Sequence, residues 1–139
     1  MTTQALTNLS WRTLFAAALT VLFTAVPAHA LKVIENLEGQ PIPEGLSASQ
    51  IKKAIVVSGG RRGWLIREVG ANQFEATLNV RKHTVVVDIR LSGNTYSITY
   101  NTSVNMKYDG AGKIHGRYNS WVANLNSDIQ RGLLAATYD

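Results

Sequence analysis

Two short stretches of this chain gather side chains that can do chemistry. In KIHGRYNSWVANLNSDIQ, positions 113–130, His115, Tyr118 and Asn119 fall within five positions of one another. An imidazole changes charge near neutral pH, and a phenol and an amide beside it can orient a substrate. The trio would suit a small ligand-processing or hydrolase-like cleft. In SGGRRGW, positions 58–64, Arg61 and Arg62 lie between glycines and just ahead of Trp64. Guanidinium groups beside exposed glycine backbone can grip an anion. Arg61, Arg62, Trp64, His115, Tyr118 and Asn119 are therefore the candidate binding residues.

Each stretch also has a plainer structural use. SGGRRGW lacks the G-x-x-x-x-G-K-[ST] spacing of a phosphate loop and follows a helix where such a loop precedes one. A glycine stop and a tight helix-to-strand turn, with both arginines exposed, account for it. His115 and Asn119 stand four apart, the spacing for a mutual hydrogen bond on one helix face, and His115 can equally meet a strand-end carbonyl. Ser103, Ser120, His115 and Asp109 are the nearest assortment to a nucleophilic triad, but no G-x-S-x-G elbow presents a serine. Glu75 and Asp88 sit among Arg81 and Arg90 on neighbouring strands, which predicts cross-strand ion pairs. We assign no catalytic residue and expect no enzyme. Past the first thirty residues only His83 and His115 remain as imidazoles, there is no cysteine, and no H-x-x-x-H pair occurs. A zinc site needs three or four ligands, so neither metal nor cofactor is implied. His83, in the RKH turn, is expected to be solvated.

The elements that must position these residues follow from hydrophobic period. Ser47 and Gln50 have capping-box spacing, and Leu46 and Ile51 hold the two positions of a hydrophobic staple. Ile51, Ala54 and Ile55 form an apolar stripe and Gly59–Gly60 stop it, so a first helix of about three turns is predicted. From Trp64 the period becomes two. WLIREV, QFEATLNV, HTVVVDIRL and TYSITY read as four strands joined by short turns, with Phe74, Ala76, Leu78, Val85, Val87, Ile89, Tyr96 and Ile98 inward. Residues 33–37 read as extended, an edge strand at most, ahead of the breaker QPIPEG. Val104, Met106 and Tyr108 alternate as a short extra strand would. Residues 113–135 read as a final helix whose stripe includes Tyr118 and Trp121, making it mainly a roof over the core, with Gly132 a weak spot near its end.

The N-terminus carries the anatomy of a secretory signal peptide: Arg12, an apolar run over positions 14–26, then Pro27 and the small-residue pattern Ala28-His29-Ala30. Cleavage is expected after Ala30. The run falls short of the ~20 apolar residues of a membrane span, and without cysteine there is no acceptor for an N-terminal lipid. Without Arg12 the chain's net charge of +5 becomes +4, which suits either ordinary solubility or contact with anionic envelope polymers and lipid headgroups. Nucleic acid is disfavoured by the exported compartment.

The order RRGW, H-x-V-x-V-x-I, YSITY, NMKYDG and IHGRYNSWVANLNSDI resembles a group of small bacterial exported proteins and lipoproteins, sharing most closely Ile114, His115, Tyr118, Asn119 and Trp121. The likeness covers about positions 47–129. It implies a short helix, an antiparallel sheet and a closing helix in an exported protein, and it implies no activity.

Together these observations predict a leader at 1–30, an extended segment at 31–46 and one α+β domain at 47–139. The domain is a helix, an antiparallel meander of about four strands and a helix, with both helices packed on one face of the sheet. The function expected is a periplasmic or secreted, non-enzymatic protein with a binding or assembly role in the cell envelope. Its partner would be an envelope protein, an anionic cell-wall polymer or lipid headgroups. The exposed sheet face and the Arg61–Arg62 corner are the surfaces for it.

Overall fold

The computed structural model describes residues 30–139, so all of the expected leader but its last residue lies outside the described residues. Nine elements follow in order: β1 (Leu31–Val33), β2 (Leu37–Pro41), α1 (Ala48–Gly60), β3 (Trp64–Gly70), β4 (Gln73–Val80), β5 (His83–Ser92), β6 (Thr95–Val104), β7 (Lys113–His115) and α2 (Arg117–Ala136). Five strands form an antiparallel sheet in the order β2-β6-β5-β4-β3, and β1 pairs with β7 in a separate two-stranded ribbon. The fold is α+β.

The alternating residues set the sheet's two faces. Phe74, Ala76, Leu78, Val85, Val87, Ile89, Tyr96 and Ile98 are buried, and their sequence neighbours are half-buried or exposed. A register shift between Val86 and Val87 sets Asn101 out as an extra residue in β6, so that Ser103 pairs with Val85 beyond it. The buried sheet residues share one core cluster with Ala54 and Ile55 of α1 and with Tyr118, Val122, Leu125, Ile129 and Leu133 of α2.

α1 begins as its sequence requires. Ser47 Oγ accepts from Gln50 N–H at 3.1 Å and Gln50 Oε1 accepts from Ser47 N–H at 2.9 Å, the complete capping box. Its end differs from the expected glycine stop. The helix runs through Gly59 and Gly60, and the left-handed turn falls on Gly63 (φ +86°). Gly59 is instead a point of close approach, where a Cβ would lie 2.2 Å from Ile66 Cδ1. Gly132 plays the same part in α2, since a Cβ there would lie 2.0 Å from Ser58 Oγ and 3.3 Å from Ala54 O. The expected weak spot is a point of close approach between the two helices.

Three further expectations are corrected. Residues 31–46 contribute two strands, and β2, with Gly39 at φ +59° and Pro41 at its end, is the sheet edge beside β6. Proline is tolerated there because an edge strand needs only one side's hydrogen bonds. Met106 belongs to no strand: Asn105 and Lys107 on either side are left-handed, and the buried Met106 presents its carbonyl to His115 N–H at 2.9 Å. Finally, residues 113–115 are strand and not helix. Lys113, Ile114 and His115 pair with Val33, Lys32 and Leu31, and α2 starts only after Gly116.

Candidate functional site

The six residues singled out by sequence do not meet in one site. Tyr118 is fully buried, packed edge-on to Tyr100 with ring centroids 5.6 Å apart, and its hydroxyl has no hydrogen-bond partner among the described residues. Burial, with the neighbouring Tyr100 adding to it, pushes that hydroxyl's pKa up. Asn119 is used by the backbone: its Nδ2 donates to Val33 O at 2.9 Å and its Oδ1 accepts from Glu35 N–H at 3.1 Å, clamping the chain between β1 and β2. No hydrogen bond joins it to His115. The imidazole Nδ1 of His115 instead accepts from Arg117 N–H at 3.2 Å. A His115–Tyr118–Asn119 cleft is therefore not assembled.

At the other stretch Trp64 is buried at the start of β3, and with Arg62 and Trp121 it lines a shallow depression against Leu78 and Val80. Arg62 Nε pairs with Asp128, whose other oxygen accepts from Arg131 Nη2 at 2.6 Å. Partial burial raises the Asp128 carboxyl's pKa, but the hydrogen bonds and charges of Arg62 and Arg131 together outweigh it and hold the group below its usual value. Arg61 completes an open corner with Arg62, Asp128 and Arg131. Two of its three cations thus already share one carboxylate. The exposed sheet face is paired off in the same way. Glu75 takes Arg67 of β3 at 2.9 Å, while Asp88 takes Arg90 of its own strand at 3.3 Å and Asn101 at 3.0 Å. Arg81 joins neither pair, contrary to the expected grouping.

At one end of the sheet Lys82, His83, Asn105, Lys107 and His115 line an open pocket of about 490 Å³. The β5–β6 register sets Thr84 against Val104, which brings His83 beside Asn105 one step beyond. The two then lock together. Asn105 Nδ2 donates to Lys82 O at 2.8 Å, and Asn105 O lies 2.7 Å from His83 Nδ1. The bond from His115 N–H to Met106 O brings β7 against the same loop, so the two imidazole rings stand 6.2 Å apart, tilted by 35°. Arg81, Asn105 and Lys107 are the non-glycine residues at positive φ (56°, 56° and 53°) among the described residues, and all three bound this end. Left-handed backbone costs a non-glycine residue about 1 kcal/mol or more, so it persists only where the surroundings hold it.

No carboxylate lines the pocket. Asp109, in the loop that leads from it, turns inward on its own backbone, accepting from Ala111 N–H at 2.7 Å and Lys113 N–H at 3.0 Å. Those bonds, Lys113's first, hold its pKa below the usual value. Among the described residues no group of three or more His, Cys, Asp or Glu could hold a metal ion, and no helix is long and apolar enough to cross a membrane. The arrangement can bind an anion. It offers no nucleophile with a base behind it.

Of the candidate binding residues, only His115 lines this pocket, and His83 was expected to be solvated. The signal available was slight: His83 and His115 are the two imidazoles of the described chain, and His83 follows Arg81 and Lys82 directly. Their meeting depends on a strand register and on a three-residue strand, neither of which the local pattern specifies. No family model matches the chain, and neither the curated proteins nor the solved structures contain a significant match.

Proposed function

We propose that this chain is an exported, non-enzymatic binding protein of the cell envelope that holds anionic groups of envelope polymers or lipids. One observation carries the reading. The pocket lined by Lys82, His83, Asn105, Lys107 and His115 sets two lysines beside two imidazoles with no carboxylate among its lining, while charges on the sheet face and at the Arg61–Arg62 corner are largely paired. Positive charge in a concave site raises the local concentration of anionic ligands. The net positive charge supports the same sign of partner. Both helices covering one face of the sheet would leave that end free for a surface to approach.

The compartment rests on the leader's anatomy. The resemblance to small exported proteins fits the same compartment. The test is co-sedimentation of the processed protein with isolated sacculi and with anionic vesicles, at low and high salt. Pelleting that weakens as salt rises is the expected outcome. Absence of pelleting at low salt with both would reject the reading.

A further inference from the structure

We propose that the end pocket is a site for a phosphate group, with His83 as the switch that makes its affinity rise as pH falls. The proposal rests on the envelope-binding reading and goes further by naming the ligand chemistry and its control.

The tautomers follow from the backbone partners. Asn105 O can only accept, so His83 Nδ1 is the donor in their 2.7 Å bond and carries the proton of the neutral ring. Nε2 of neutral His83 is then a lone pair, which repels an anion. Protonation puts an N–H and a full charge at that nitrogen while leaving the Asn105 bond intact. His115 is arranged in the opposite sense. Arg117 N–H donates to its Nδ1, so its neutral ring carries the proton on Nε2, and a second proton would set two donors against each other.

The surrounding charges favour a phosphate over a carboxylate. Arg81 and Lys82 form the β4–β5 turn directly before His83, Lys107 stands on the facing loop, and Lys113 and Arg117 bracket His115. Asp109 is the acidic residue of that loop, and backbone N–H groups already occupy it. A group with several acceptor oxygens spread over one charged centre can meet Lys82, Lys107 and the His83 imidazolium together, and lysine serves phosphate as a mobile point charge. By linkage, an anion that favours the protonated ring must bind more tightly at lower pH, and by the same factor.

The source of the phosphate group can be a soluble ester or a lipid headgroup, and one experiment separates them. The first arm titrates the full protein with glycerophosphoglycerol, a soluble diester whose single charge is constant in this range, following amide and imidazole resonances by NMR. Saturable shifts confined to Lys82, His83, Asn105, Lys107 and His115 are expected, with affinity higher by about three- to fivefold at about pH 5.5 than at about pH 7.5, the worth of one screened charge pair. Lys107→Asn, which keeps a residue tolerant of the left-handed backbone, should weaken binding at both pH values. His83→Gln should bind with no pH dependence. The second arm repeats vesicle pelleting with phosphatidylglycerol, and competition by the soluble diester assigns the lipid headgroup to this site. Shifts that instead follow Arg61, Arg62 and Arg131, or a pH dependence that survives His83→Gln, would overturn the proposal. Salt-sensitive pelleting that is indifferent to Lys107→Asn and to pH would overturn this site and leave envelope binding standing. Diester binding without pelleting on either vesicles or sacculi would support the site and remove the envelope reading.

Discussion

Two buried tyrosines show how a hydroxyl's partners decide its worth. Tyr96 and Tyr118 are both buried, but Tyr96 OH donates to Asn126 Oδ1 at 2.6 Å and accepts from Gln130 Nε2 at 2.8 Å. Burial lifts its pKa to about 12, against a smaller lowering by Gln130. Asn126 and Gln130 also reach Gln40 and Pro41 of the edge strand, so the hydroxyl anchors a network. Tyr96→Phe should cost about 1–2 kcal/mol in denaturant unfolding, because it leaves two half-buried amides short of a partner. Tyr118→Phe should be neutral or stabilise by up to about 1 kcal/mol, since it removes a buried hydroxyl with nothing to bond. A large loss of stability for Tyr118→Phe would show that the hydroxyl has a use that the packing does not reveal. Asp128 gives a pH-dependent counterpart. Its pKa is lowered in the fold, so its stabilisation is present above the ordinary carboxylate value and lost as pH falls through the lowered one. Asp128→Asn should flatten the acid limb of stability below about pH 4, read from thermal melts across that range.

Between elements, α1 and α2 cross at close range. Small residues set their distance: Ala54 and Ser58 on one helix face Gly132 on the other. A methyl at position 132 has backbone as well as side chain in its way, so the helices must part. Gly132→Ala should therefore destabilise by about 1–3 kcal/mol, although alanine is the better helix former. Adding Ser58→Gly should recover part of that loss, since it removes the nearer obstacle and leaves Ala54 O. If Gly132→Ala raised stability in urea unfolding, helix propensity would have outweighed packing and the close approach would be softer than the distances imply. Element boundaries show the same dependence on neighbours. Ile114 stands four residues before Tyr118, so it fits the helical stripe and is buried either way. Periodicity cannot separate a strand of three residues from the first turn of a helix. What makes it a strand is the pairing of Ile114 with Lys32 across the ribbon.

For the whole molecule, charge placement matters more than net charge. The +5 of the sequence is consistent with simple solubility or with an anionic partner. The fold spends its carboxylates unevenly, pairing Asp128, Glu75 and Asp88 with arginines and turning Asp109 onto its own backbone, and so leaves one end of the sheet cationic. What the sequence determined by itself was local. The alternation at Phe74, Ala76 and Leu78 sets which sheet face is buried, Ser47 and Gln50 start the first helix, and Tyr118, Val122, Leu125 and Ile129 supply the second helix's inner stripe. Each of these is fixed by residues within a few positions of one another, where period and capping act. The candidate trio His115, Tyr118 and Asn119 failed as a site because sequence neighbours on successive elements point to different surroundings: an open pocket, the core and a backbone clamp. The pairing of His83 with His115, the contact of Gly132 with Ser58 and the ribbon of β1 with β7 join residues far apart in the chain. Only the register of strands and the crossing of helices bring them together, and no local pattern encodes that distance.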